Sequence, residues 1–213
     1  GLRRRCVDVF RVEARAVVSE YGMTELGSQF YERTLVEPGA TPGVLAPPPF
    51  ERALASLSYV FPWDRLITRY KFAGDLSLQP ALARLLINTV GAEHENFDAV
   101  NWVLPMPVSA RRLRERGFNQ SWELARPLAR ALRLAARHDL LLRWRETEHQ
   151  TGLSREERNA NLRGAFMPAP GARACLGGAH VALVDDVLTT GASAAEAART
   201  LLEAGAARVD VWL

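Results

Sequence analysis

Short apolar runs alternate along this chain with segments whose apolar residues recur at helical spacing. Arg65 to Phe72 reads as a short helix, broken by Gly74-Asp75. Pro80 suits the first turn of a second helix through about Val90, with Leu78, Leu82, Leu85 and Leu86 on one face. Asp98 to Leu104 reads as a strand stopped by Pro105-Met106-Pro107. A basic loop follows, and then a helix from about Gln120 to Arg137, carrying Leu124, Leu128, Ala131 and Leu132 and kinked at Pro127. Leu140 to Trp144 suits a short strand. The stretch 145–165 is polar and loop-like, with a capping box at Ser154-Arg-Glu-Glu157 that predicts a short helix to about Asn161. Val181 to Val184 reads as a buried strand, Ser193 to Ala204 as a helix closed by Gly205, and Arg208 to Leu213 as a further strand.

Strands that alternate with helices predict an α/β fold with a mostly parallel, twisted sheet flanked by helices. Residues 1–47 are poorly patterned, and Pro38, Gly39, Pro42, Gly43 and Pro47-Pro48-Pro49 mark a linker. The organised domain is therefore expected to span 48–213. The last strand runs to the end of the chain at Leu213, which suggests a piece of a longer protein.

The 213 residues suffice for one α/β domain, and 48% of them are apolar, enough for a sizeable core. A net charge of +3 admits an anionic ligand without demanding nucleic acid. The two cysteines, Cys6 and Cys175, lie far apart, which argues against a disulfide scaffold and for a reducing cytoplasm. His94, His138, His149 and His180 lack ligand spacing, so no metal ligand is assigned directly.

Composition does not explain the string Val181-Ala-Leu-Val-Asp185-Asp186-Val-Leu-Thr189-Thr190-Gly191-Ala192-Ser193. A buried strand delivers two adjacent acids, and a hydroxyl-and-glycine loop then opens a helix. Carboxylates suit ribose hydroxyls. Free N–H groups at a helix start, with Thr189, Thr190 and Ser193 hydroxyls, suit a phosphate. Gly191 lets backbone approach the oxygens closely. A second charged feature follows the earlier strand, where four arginines fall within Arg111–Arg116. Their planar forks suit phosphate or pyrophosphate.

The first string resembles the 5-phosphoribosyl-1-pyrophosphate (PRPP) motif of type I phosphoribosyltransferases. The resemblance implies that Asp185 and Asp186 contact ribose hydroxyls, directly or through Mg²⁺, and stabilise charge developing at C1 as pyrophosphate leaves. It implies that Thr189, Thr190, Gly191, Ala192 and Ser193 hold the 5-phosphate. The second string, Pro105-Met-Pro107 to Arg116-Gly-Phe-Asn-Gln120, closely resembles the signature of the ComF family. So does Tyr70-Lys71-Phe72-x-Gly74-Asp75, and so do Arg145, Thr147, Gln150, Leu153, Arg158, Asn161 and Phe166 in their spacing. Together these matches cover about residues 48 to 213.

In that fold the loop after the first core strand binds pyrophosphate, so Arg111, Arg112, Arg114 and Arg116 are candidate pyrophosphate or nucleic-acid contacts. The stretch 145–163 corresponds to a mobile loop, with Arg145 and Arg158 as charge donors. Lys71 and Asp75 either line the site or end a helix, with the helix end favoured. The family usually begins with a four-cysteine zinc module, which Cys6 alone cannot form. Residues 20–26 are similar to a Tyr-Gly-x-Thr-Glu motif of adenylate-forming enzymes; a single motif gives Thr24 and Glu25 no role.

Three functions follow from the resemblance. One is a Mg²⁺-dependent phosphoribosyltransferase with an open acceptor. Another is an accessory to DNA uptake or utilisation that binds single-stranded DNA, with Phe118, Trp122 and Trp102 as stacking surfaces and DNA-uptake machinery as partner. The third is a PRPP-sensing regulator without turnover.

Overall fold

A computed structural model describes residues 49–57, 62–72, 74–93, 100–146, 162–188 and 191–213. The N-terminal segment with its expected boundary, Cys6, residues 20–26 and the capping-box helix lie outside them. In chain order the elements are β1 (Arg52–Leu54), α1 (Trp63–Phe72), α2 (Gln79–Glu93), β2 (Trp102–Pro105), α3 (Ala110–Arg116), α4 (Gln120–Leu132), β3 (Leu141–Arg143), β4 (Phe166–Pro168), α5 (Ala172–Leu176), β5 (His180–Val184), α6 (Ala192–Glu203) and β6 (Arg208–Trp212).

Four strands form one sheet in the order β1-β6-β5-β2, and every neighbouring pair is parallel. Parallel pairing demands crossovers, and the helices provide them on both faces. Side chains along β5 alternate accordingly. Val181 and Leu183 join Leu104, Val209 and Val211 against Ala197, Ala198 and Leu201 of α6. Ala182 and Val184 join Val103 and Trp212 against Leu86 and Val90 of α2 and Leu124 and Leu128 of α4. All five β5 residues are buried, which explains the unbroken apolar run. This is the α/β architecture that the alternating pattern predicted.

Four local expectations are corrected. The basic segment is a helix, α3, rather than a loop. Its apolar content is one exposed leucine, Leu113, so no periodicity reveals it. The helix from Gln120 ends at Leu132, because Arg133 turns left-handed at φ 58° and caps it. Pro127 lies inside that helix and cannot donate to the carbonyl of Glu123; the Gln79 Nε2 of α2 donates there instead, at 2.8 Å. The strand expected at 140–144 is β3, which pairs antiparallel with β4 as a separate two-stranded ribbon. Neither β1, β4 nor α5 was anticipated; each is five residues or shorter, too short for a periodic signal.

The ribbon is tied to the domain through Glu196 of α6. Its carboxylate accepts the Gly164 N–H at 2.6 Å and pairs with Arg199. β3 is thereby held beside the carboxyl end of the main sheet.

Candidate functional site

At the end of β5 the Asp185 N–H makes a last ladder bond to the Trp212 carbonyl, 3.0 Å away. The chain then leaves the sheet with both acids at its carboxyl end, where parallel sheets bind ligands. Asp185 Oδ1 accepts from the Asp186 N–H at 2.9 Å and from the Ser121 hydroxyl at 3.1 Å. Asp186 Oδ1 lies 3.0 Å from the Lys71 ammonium, with the Asp186 side chain only 2% exposed and that of Lys71 25% exposed. Its other oxygen, Oδ2, is buried and accepts no hydrogen bond among the described residues. Burial, reinforced by the neighbouring Asp186 charge and opposed by Lys71, pushes the Asp185 carboxyl up to about 7.

The basic signature builds the opposite wall as a corner between two helices. Ser109 caps α3 by accepting the Arg112 N–H at 3.4 Å, and Gly117 ends it at φ 78°, where a side chain would be strained. Phe118 packs on Tyr70, with ring centroids 6.4 Å apart. Asn119 caps α4 by accepting from the N–H groups of Ser121 and Trp122, at 3.0 and 3.3 Å, and its amide donates to the Met106 carbonyl at 3.1 Å. The buried Tyr70 hydroxyl donates to the Gln120 carbonyl at 2.8 Å. This frame carries Ser121 to Asp185 and Lys71 to Asp186. Asn119→Ala removes a cap and the strap to Met106 together, so it is expected to cost about 1–2 kcal/mol. Urea denaturation of the variant checks this.

The predicted arginines are placed unequally. Arg111 is exposed and pairs with Glu115 at 2.7 Å and Glu146 at 3.7 Å. Glu146 also accepts from the Ser109 hydroxyl at 3.2 Å, joining the β3 end to α3. Arg114 is exposed, and Arg116 donates to the Gln120 side chain at 3.1 Å. Arg112 is partly buried. Desolvation and the nearby Arg116 hold its pKa below the usual guanidinium range. Arg145 donates to the Arg163 carbonyl at 2.6 Å from an exposed position.

Sequence reasoning missed Arg143. It lies over the Phe166 ring at 5.6 Å, and burial together with Arg112 lowers its pKa while Asp185 opposes the shift. Two desolvated cations, one from α3 and one from β3, thus lie within reach of each other, and Arg143 is also within reach of Asp185. Strand parity could have found Arg143, because it is two residues from the buried Leu141 and so faces inward. Lys71 lies in the last turn of α1, as expected, and also pairs with Asp186, whereas Asp75 ends no helix: it precedes the 3-10 turn Leu76–Leu78 and pairs with Arg69 at 2.6 Å.

Gly191, at φ 72°, leads into α6, whose first two residues are Ala192 and Ser193. Thr189, Thr190 and Arg158 lie outside the described residues. The aromatics proposed for stacking are engaged elsewhere. Trp102 donates to the Cys175 carbonyl at 2.9 Å, Trp122 packs at a tilt against His138 with ring centroids 5.0 Å apart, and Phe118 packs on Tyr70. The exposed aromatic near the basic wall is Trp144, 63% accessible.

This arrangement can orient a diol on carboxylates and balance a polyanion between α3 and β3. Among the described residues, no group of three or more His, Cys, Asp or Glu side chains could hold a metal. The buried Oδ2 of Asp186, a hard oxygen without a hydrogen-bond donor among the described residues, is open to a ribose hydroxyl or to Mg²⁺. A Mg²⁺ ion here would take most of its ligands from a bound substrate's oxygens. No described helix is long and apolar enough to cross a membrane.

No family model matches the chain. Individual relatives do. The DNA utilization protein YhgH of Salmonella typhimurium is 37% identical over 169 residues, covering 78% of this chain and 72% of the relative. Competence protein F of Haemophilus influenzae is 31% identical over 167 residues, with the same coverage of each chain, 78% and 72%. Competence protein ComFC of Bacillus subtilis is 33% identical over 141 residues, or 66% of this chain and 54% of the relative. Among solved structures, a glutamine PRPP amidotransferase from B. subtilis overlaps 62% of this chain and 25% of its own, at TM-score 0.40 and 21% identity. That overlap is partial. With the extent and identity of the YhgH and competence protein F matches, the chain belongs to the ComF family.

Proposed function

We propose that this protein binds PRPP at the carboxyl end of β5 and uses that site in DNA utilisation or uptake. One observation carries the reading: Asp185 and Asp186 leave β5 directly ahead of the Gly191 turn into α6, with the guanidinium of Arg143 within electrostatic reach of Asp185. Asp185 and Asp186 would hold the ribose hydroxyls. The Gly191–Ser193 turn, with Thr189 and Thr190, would hold the 5-phosphate. Arg112 and Arg143 would take the pyrophosphate, with Arg111, Arg114 and Arg116 adding to the field at the rim.

Mg²⁺, if bound, would supply charge neutralisation for the leaving group. The chain's own part in a phosphoribosyl transfer would be electrostatic. The acidic pair would stabilise positive charge developing on C1, and the arginines negative charge developing on the leaving group. The acceptor would be a nitrogen nucleophile. The names of the relatives support a place in DNA use, and the absence of a membrane-crossing helix among the described residues suits a cytoplasmic one.

PRPP with Mg²⁺ is expected to raise the melting temperature, and PRPP-dependent pyrophosphate release should appear with one member of a nucleobase and amine panel. A thermal shift without release for any acceptor points to a sensor instead. No shift at all refutes the site.

The exposed Trp144 beside Arg145 favours a second reading, in which a single DNA strand stacks on the ribbon and its phosphates lie along α3. Affinity for an oligonucleotide should then fall steeply with salt. Unchanged binding by Trp144→Ala would remove that reading.

A further inference from the structure

The cation position at the acidic pair is already occupied from within the chain. Lys71 Nζ sits 3.0 Å from Asp186 Oδ1, at a carboxylate that is almost entirely buried. Its placement is firm, because the preceding residue, Tyr70, is fully buried and bonded through its hydroxyl to the Gln120 carbonyl. Asp186 keeps one buried oxygen, Oδ2, that accepts no hydrogen bond among the described residues. A buried acceptor without a donor is costly and calls for a hydrogen-bonding partner. A sugar hydroxyl offers that donor, and an ammonium held on the other oxygen leaves it the right acceptor.

We infer that Lys71 is the resident counter-ion of the acidic pair: it holds Asp186 so that Oδ2 receives a ribose hydroxyl without the help of a divalent metal. The inference rests on the reading of β5's end as a phosphoribosyl site and adds a positioning residue to it. Divalent metal is then needed only for the pyrophosphate. Recognition divides into a metal-independent half for the pentose 5-phosphate and a metal-dependent half for the leaving group. Lys71 is suited to this by its compact charge and flexible stem, which balance one oxygen and leave the second open.

Ribose 5-phosphate is the probe, because it carries the diol and phosphate but no pyrophosphate. Titration into the native protein in EDTA and in excess Mg²⁺ should give dissociation constants equal within about threefold, while PRPP should bind at least tenfold more tightly with Mg²⁺ than in EDTA. Lys71→Met should weaken ribose 5-phosphate by tenfold or more in EDTA, and Lys71→Arg should stay within a few-fold of native. A purely structural role for Lys71 would not make the native affinity indifferent to EDTA, so that comparison needs no variant to fold. If PRPP binds with Mg²⁺ but ribose 5-phosphate requires the metal, the Lys71 inference is overturned and the PRPP site stands. If neither ligand binds, the site itself is refuted.

Discussion

Asp185→Asn is expected to make the protein more stable at pH 7, by about 2–4 kcal/mol, while weakening its hold on the ligand. Burial and the adjacent Asp186 push the Asp185 carboxyl up to about 7. The folded state therefore binds this proton more tightly than the unfolded chain. Stability from this group is full below about pH 4 and is lost as pH rises toward 7. An amide keeps the same shape, and its oxygen can still accept from Ser121 and the Asp186 N–H, as Asp185 Oδ1 does now. It carries no charge to desolvate. The gain should be large at pH 7.5 and nearly absent at pH 4, read from urea denaturation at both. A variant less stable than native at pH 7.5 would mean that Asp185 is not held against its charge.

Lys71→Met should act in the opposite direction, costing about 2–4 kcal/mol at pH 7. The Asp186 side chain is 2% exposed and has Lys71 as its counter-charge at 3.0 Å, so truncation strands a buried carboxylate beside a second acid. The lysine is a quarter exposed, which keeps the loss toward the lower part of the usual range for breaking a buried pair. Adding Asp186→Asn removes the stranded charge and should restore most of the stability. A double variant no better than the single would place the cost in the lysine's packing.

Much of this architecture was legible from pattern. The apolar run of β5 and the caps around α6 are strong signals, and they bracket the acidic pair. What sequence missed is short or polar. α3 has a single exposed leucine and is defined by Ser109 and Gly117 at its ends, so charge hid it. β1 and β4 are three residues each and exist through long-range pairing. Among site residues, the adjacent acids and Arg112 were visible from type and spacing. Lys71 is 115 positions from Asp186, and only the packing of α1 on the Gln120 corner brings them together. Arg143 was passed over for Arg145, because the two share strand parity; β3 ends at Arg143, which is half-buried, whereas Arg145 lies beyond the strand and is exposed.

The same geometry accounts for the ComF signature residue by residue. Gly117 turns the chain, Phe118 fixes Tyr70, Asn119 starts α4, and Gln120 receives Tyr70's hydroxyl. Each is a structural part whose joint product is the placement of Ser121 and Lys71 on the two acids. Substitutions in the signature should thus lower stability and ligand affinity together, whereas changes at the exposed Arg111 or Arg114 should leave stability nearly unchanged.

The central claim is that the two acids at the end of β5 hold a phosphoribosyl group. Calorimetric titration of PRPP with Mg²⁺ into the native protein and into the Asp185→Asn, Asp186→Asn variant tests it most directly. Saturable binding by the native protein, weakened at least tenfold in a variant that remains folded, is the predicted result. Equal affinity in the two proteins would contradict it.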